Sequence, residues 1–137
     1  MSSLVPELLV SDIKDSLAFW VELLDFKVHY DRPEEGFAYL KRDVLEVMLE
    51  ELGRGRQWIT GELEKPLGRG INLQMQTNDW FEQLAKLRQK NWLLFMEPET
   101  KWYRVDDVEV GQQQFLVQDP DGYLLRLAQS LGERKVQ

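Results

Sequence analysis

The chain contains the same order of elements twice, and this duplication limits the folds that it can adopt. Residues 7–30 (ELLVSDIKDSLAFWVELLDFKVHY) begin as an apolar strand and continue as a helix with one apolar face. The apolar residues of that face follow helical spacing at Ile13, Leu17, Trp20, Val21 and Leu24. Residues 71–95 (INLQMQTNDWFEQLAKLRQKNWLLF) show the same change from strand to helix. Such an internal repeat predicts two similar modules.

Both predicted helices begin at residues suited to capping. Ser11 or Asp12 can accept hydrogen bonds from the free amides of the first helix, and Asn78 or Asp79 can do so in the second. Asp12 and Asp79 lie 67 residues apart, and apolar positions of the two helices match at the same offset. The matched order of strand, cap and helix supports the duplication.

Short strand-like runs follow each helix, so each half is predicted to be a βαβββ module. In the first half they are residues 27–30, 36–40 and 44–49. In the second half they are residues 92–95, a weaker run at 102–105, residues 113–117 and the strand that begins at Tyr123. A lone four-stranded sheet would expose one of its sides, so the two modules are expected to pair.

These elements predict an α+β fold within a single domain that spans residues 1–137. Its modules cover about residues 4–50 and 71–129, and the segment between them, residues 51–70, is rich in glycine and charge, as is typical of a loop. Trp58 is unusual in such a loop. It is expected either to pack on its own domain or to line a ligand or dimer surface.

The composition argues against several classes of function. The net charge of −7 disfavours nucleic-acid binding, because phosphates require basic patches. The absence of cysteine excludes disulfides and thiolate metal sites, and the sequence predicts a cytoplasmic protein. No apolar run approaches the ~18 residues of a membrane span, and residues 1–7 show no signal peptide. The single histidine, His29, is more typical of a strand near the surface than of a catalytic centre.

The segment DPDGYLLRLAQ, residues 119–129, places a charged side chain within an apolar strand. Residues 119–122 (DPDG) are typical of a turn, because proline presets φ and glycine tolerates a positive φ. In the strand that follows, Arg126 shares a face with Leu124 and Ala128. A guanidinium among apolar neighbours lies either on a solvated face or in a site.

The opening segment VPELLVSDIKDSLAFWVELLDFKV and the closing segment FLVQDPDGYLLRLAQ resemble the vicinal oxygen chelate superfamily. The resemblance covers roughly residues 4–129. This superfamily includes glyoxalase I, extradiol dioxygenases, fosfomycin resistance enzymes and the bleomycin resistance proteins. The resemblance implies the glyoxalase/bleomycin resistance fold, in which two βαβββ modules pair into a cupped mixed β-sheet.

The enzymes of this superfamily hold a divalent metal between the first and last strands of their modules, with imidazole, amide and carboxylate ligands. The resemblance places Val5 and Asn72 at the first-strand positions and Arg126 at the final glutamate position. Only Glu46, on the last strand of the first module, keeps a carboxylate. The resemblance thus implies no metal and no other cofactor, and it favours a protein that is not an enzyme. We also expect Glu46 and Arg126 to face one cavity as an ion pair.

The vacated metal positions favour the bleomycin resistance branch, whose members are metal-free dimers that trap a cationic glycopeptide drug between subunits. The resemblance implies a homodimer with a small-molecule ligand such as a bleomycin-type drug, and the five Trp, six Phe and four Tyr support a buried interface. The predicted ligand-binding residues are Phe37, Tyr39, Glu46, Trp58, Trp102, Tyr103, Asp107 and Arg126. A groove aromatic of the well-studied resistance proteins falls here near Gly111.

Two other functions stay open from the sequence. One is a metal-dependent lyase or dioxygenase of the same superfamily with an atypical ligand set, which a tightly bound metal would reveal. The other is an interaction domain that uses the fold only to dimerise, which a failure to bind any ligand in a broad screen would favour.

Overall fold

The computed structural model describes residues 4–136, which divide into two compact units. The first unit contains the residues up to Leu67 together with Asp119–Gly122, and the second contains Gly68–Gln118 together with the residues from Tyr123 onward. Residues 1–3, which belong to the segment considered for a signal peptide, lie outside the described residues. None of the helices within residues 4–136 is long and apolar enough to cross a membrane.

The first unit is a four-stranded sheet with one helix. Its elements are β1 (Glu7–Val10), α1 (Ile13–Leu17) with a π-helical continuation (Ala18–Leu23), β2 (Lys27–Arg32), a short 3-10 helix (Pro33–Glu35), β3 (Phe37–Arg42) and β4 (Leu45–Glu51). The strand order is β1-β4-β3-β2. β1 pairs with β4 in parallel, and the other pairs are antiparallel.

The second unit repeats this topology. Its elements are β5 (Asn72–Gln76), α2 (Trp80–Gln89), β6 (Leu94–Val105), β7 (Val108–Gln118) and β8 (Leu124–Lys135). The strand order is β5-β8-β7-β6, again with one parallel pair, β5 with β8. The α+β class and the two βαβββ modules are therefore confirmed, whereas the single domain over residues 1–137 stays a prediction.

Polar residues at the ends of the elements explain where these begin and turn. The Asp12 carboxylate accepts hydrogen bonds from the amides of Lys14 (2.9 Å) and Asp15 (3.3 Å), as predicted for the first cap. Asp79 occupies the equivalent N-cap without a capping hydrogen bond from its side chain. Asp43 and Asp106 take positive φ between antiparallel strands, a conformation that aspartate tolerates better than most residues.

Each sheet has an apolar face that packs against the helix of its own unit. In the first unit Leu40 of β3, Leu49 of β4 and Trp20 of the helical segment are buried, and α1 contacts β4. In the second unit Leu125 and Leu127 of β8 pack with Leu87 of α2. Because strand side chains alternate, the opposite face of each sheet is free to carry polar and aromatic groups.

The largest difference from the predicted strands is in the second unit. The separate runs predicted at residues 92–95 and 102–105 are parts of one strand, β6, which extends from Leu94 to Val105. Its pairing with β7 shifts register twice between Leu94 and Glu99, next to Pro98. The exposed polar residues and the register shifts interrupt the alternation by which a strand is recognised. Between the modules, where a loop over residues 51–70 is predicted, residues 52–71 form neither helix nor strand, and Glu51 still belongs to β4.

Candidate functional site

A cavity of about 250 Å³ lies against the non-helical face of the second unit's sheet. Its polar and aromatic lining consists of Asn72, Glu99, Tyr103, Gln114 and Arg126. Strand pairing brings these residues together, because β8 lies between β5 and β7, and β6 pairs with the other side of β7. Two predicted ligand-binding residues, Tyr103 and Arg126, thus share this cavity.

Gln114 organises the polar groups of this cavity. Its side chain is at the centre of a network and only 3% of the residue is exposed. The amide nitrogen donates to the Tyr103 hydroxyl (2.7 Å) and to a Glu99 carboxylate oxygen (3.2 Å). The amide oxygen accepts from Nε of Arg126 (2.9 Å). A buried amide with these three partners is satisfied and fixes the groups around it.

Arg126 is held at the cavity by two contacts. Besides its hydrogen bond to Gln114, its guanidinium lies 5.5 Å from the centre of the Tyr103 ring, within the range of a cation–π contact. The guanidinium is thus oriented by residues of the neighbouring strands. The expected pairing of Arg126 with Glu46 stays a prediction.

Glu46 is held within the first unit. Its buried carboxylate accepts a hydrogen bond from the Tyr39 hydroxyl (2.8 Å) and lies 3.6 Å from Nζ of Lys41. The hydrogen bond to Glu46 and burial raise the pKa of Tyr39, because both disfavour the phenolate. Two further predicted residues, Tyr39 and Glu46, are therefore brought together by β3 and β4.

A second cavity, of about 270 Å³, lies in the first unit at the non-helical face of its sheet. Its lining includes Glu7, Arg32, Glu35, Phe37, Glu50 and Trp58. Phe37 and Trp58, both predicted from the sequence, therefore share one cavity. Trp58 is 73% exposed, and the guanidinium of Arg56 lies 5.4 Å from its ring.

The two remaining predicted residues line neither cavity. Trp102 lies across Gly111 of the neighbouring strand, where a Cβ on the glycine would come within 2.7 Å of the indole. The guanidinium of Arg134 lies 4.0 Å from the Trp102 ring. Asp107 is exposed in the turn between β6 and β7.

The residues that the resemblance places at the superfamily's metal positions do not fit a divalent metal. Val5 has no donor, and the carboxylate of Glu46 is already engaged by Tyr39 and Lys41. In the second unit the corresponding residues are the amide Asn72 and the cationic Arg126. Within residues 4–136, no group of three or more histidine, aspartate or glutamate side chains is placed to hold a metal ion. A guanidinium repels a cation, so this donor set cannot replace the usual ligands.

Sequence reasoning missed Gln114 and Glu50, although both line cavities. Gln114 is the last of three consecutive glutamines, and nothing in such a run distinguishes the buried one. Glu50 precedes another glutamate, Glu51, at the end of a strand. The alternation of β4 was the available signal, because it places Glu50 on the same face as Glu46.

Comparisons with known proteins agree on the fold. A model of the Glyoxalase/Bleomycin resistance protein/Dioxygenase superfamily matches residues 4–127. TioX from Micromonospora sp. ML1 has a similar structure, with 18% identity, a TM-score of 0.74, and coverage of 96% of this chain and 100% of that one. A bleomycin resistance determinant encoded on the transposon Tn5 has 19% identity, a TM-score of 0.62, and coverage of 96% and 99%.

A glyoxalase/bleomycin resistance protein/dioxygenase from Alicyclobacillus acidocaldarius is also similar, with 13% identity, a TM-score of 0.61, and coverage of 95% and 92%. At these identities the likeness concerns the fold alone. A comparison with curated protein sequences finds no match.

Proposed function

This chain belongs to the Glyoxalase/Bleomycin resistance protein/Dioxygenase superfamily, and from that premise we propose that it is a metal-free small-molecule binding protein of the bleomycin resistance type. The observation that carries the proposal is Arg126. The resemblance gives Arg126 the position of a metal-binding glutamate, and its guanidinium lines a cavity together with Tyr103 and Gln114. A fixed guanidinium disfavours a bound metal ion and offers hydrogen bonds to a polar ligand.

The proposed ligand is a cationic glycopeptide drug or a similar molecule with polar and planar parts. Aromatic and acidic groups in both units support this ligand class. Trp58 offers an exposed indole in the first unit, and Tyr103 with Glu99 lines the cavity of the second. Aromatic faces attract planar and cationic groups, and carboxylates attract cations.

We further propose that the protein is a cytoplasmic homodimer that binds its ligand in a groove between subunits. The exposed apolar side chains Leu93 and Phe95 support an interface, because they lie two residues apart in one unit and contiguous exposed apolar surface is typical of contact sites. Light scattering at micromolar concentration is expected to give about twice the monomer mass of 16.2 kDa. A mass equal to that of the monomer would remove the intersubunit groove from the proposal.

A thermal-shift screen tests the binding function. A ligand present at about 100 times its Kd stabilises the folded state by about 2.7 kcal/mol, which raises Tm by several degrees. We expect such a rise with a bleomycin-type drug or a related cationic ligand and none with Mn²⁺, Fe²⁺, Ni²⁺ or Zn²⁺. A rise produced by a divalent metal alone would instead favour the metal-dependent enzyme.

A further inference from the structure

We infer that the cavity of the first unit binds a small organic cation, an ammonium or amidinium carried on an aromatic body, with the Glu50 carboxylate as its counter-ion. This inference rests on the proposed binding function and names the ligand group that this cavity recognises. Three observations support it: the burial and bonding of Glu50, the charges around this residue, and the aromatic rings at the cavity.

Glu50 is a largely buried residue whose carboxylate opens onto the cavity. It lies near the end of β4, opposite Phe37 of β3 and Leu9 of β1, and only 8% of the residue is exposed. Among residues 4–136, no side chain or amide forms a hydrogen bond or an ion pair with its carboxylate. Buried carboxylates are normally hydrogen-bonded or paired, because burial of a lone charge is costly. The carboxylate lines the cavity, so a ligand there can supply the missing partner.

The neighbouring charges do not compensate Glu50. Burial is the main cause that raises its pKa, and the carboxylates of Glu7 on β1 and Glu35 on the short 3-10 helix raise it further. Arg32 on β2 lowers it only in part, because its guanidinium is hydrogen-bonded to Glu35 and lies 4.1 Å from the Phe37 ring. The loop residue Arg56 lies against Trp58 instead. The cavity lining therefore has one more negative than positive side chain, and within the described residues the Glu50 carboxylate lacks a positive partner.

The rings at the cavity define the rest of the ligand. Trp58 presents an indole that is 73% exposed. The flat face of this indole can stack on a planar group of the ligand. The cavity volume of about 270 Å³ lies below the ~300 Å³ at which pockets for drug-sized ligands begin, so it fits a fragment or one end of a larger molecule. The three carboxylates outnumber the two guanidiniums, which disfavours an anionic ligand.

Benzamidine and its neutral analogue benzamide are suitable probes, because they share one shape and differ in charge. Titrations followed by NMR chemical shifts are expected to show benzamidine binding and no benzamide binding by the wild-type protein. Glu50→Gln removes the charge but keeps the shape, and it is expected to weaken benzamidine binding at least tenfold. Glu62→Gln, at an exposed position in the loop, is the matched control and is expected to bind like wild type.

The pH dependence provides a second readout. The cation needs the carboxylate form of Glu50, whose pKa is raised, so affinity is expected to fall when the pH is lowered from about 7.5 to about 5. In Glu50→Gln that fall is expected to disappear. Glu50→Gln is expected to fold, because the glutamine amide carries no charge that would have to be buried. Thermal melts of the variant test this.

Three results would overturn the inference: equal binding of benzamidine and benzamide, unchanged benzamidine affinity in Glu50→Gln, or an affinity that does not vary with pH. A parallel titration with bleomycin separates the two proposals. Bleomycin binding without benzamidine binding refutes the cation site and leaves the proposed function intact. Benzamidine binding without bleomycin binding supports the cation site and refutes the drug as the ligand.

Discussion

Replacement of Asp121 with alanine is expected to lower the free energy of unfolding by about 2 kcal/mol. The carboxylate is 2% exposed and accepts hydrogen bonds from the Ser11 amide (3.1 and 3.2 Å) and the Ser11 hydroxyl. It also lies 3.3 Å from Nζ of Lys65. Alanine would remove the acceptor shared by the Ser11 amide and hydroxyl just after β1, together with the carboxylate that faces Lys65. Loss of several hydrogen bonds to one buried carboxylate lowers stability.

The turn that contains Asp121 is a second reason for a large effect. Asp119, also buried, accepts from the Trp20 indole (3.2 Å) and from the Asp121 amide (2.9 Å). The two aspartates therefore tie residues 119–122 to the strand and helix of the first unit.

Urea denaturation measures this effect as a lower midpoint at an unchanged m-value. Asp107→Ala, in an exposed turn, is the control, and a change within about 0.5 kcal/mol is expected for it. If Asp121→Ala lost less than about 1 kcal/mol, these hydrogen bonds would not have the role assigned to them.

Arg126→Leu is expected to weaken ligand binding by about 10- to 100-fold, which corresponds to about 1.4–2.7 kcal/mol. The leucine keeps an apolar side chain in the cavity but removes the guanidinium. It also leaves the buried Gln114 oxygen without its donor, so the remaining polar groups lose part of their orientation. The affinity of Arg126→Lys is expected to lie between those of wild type and Arg126→Leu, because an ammonium still donates hydrogen bonds to polar groups of the ligand but loses the planar shape.

Calorimetric titration of each variant with the ligand identified by thermal shift gives the affinities. Arg88→Leu is a matched control, since Arg88 is an exposed residue of α2, outside the cavity, that forms an ion pair with Glu97. Equal affinities of wild type and Arg126→Leu would show that the ligand does not use this cavity.

The fold was predictable because its signals are local and occur twice. Asp12 and Asp79 begin the two helices, and strands of similar order follow each one. The turn at residues 119–122 was equally clear, since its residue types have few other uses. Local patterns of this kind do not show the order in which the strands pair. The superfamily resemblance at both ends of the chain supplied that order.

The site was only partly predictable because its contacts join side chains of neighbouring strands, and the sequence does not show the register in which those strands pair. The sequence singled out Arg126 and Tyr103 but contained no signal that Gln114 holds both. It likewise singled out Phe37 and Trp58, while the buried carboxylate beside them, Glu50, resembles any glutamate at the end of a strand. Burial and hydrogen-bond partners decide these roles, and neither follows from residue type alone.

The most direct test of the proposed function is a calorimetric titration of chelator-treated protein with metal-free bleomycin. We expect bleomycin to bind the metal-free protein saturably and at one fixed stoichiometry. We also expect the drug to be recovered with its mass unchanged. Binding that appears only after a divalent metal is restored, or conversion of the ligand to a product, would contradict a metal-free binding protein.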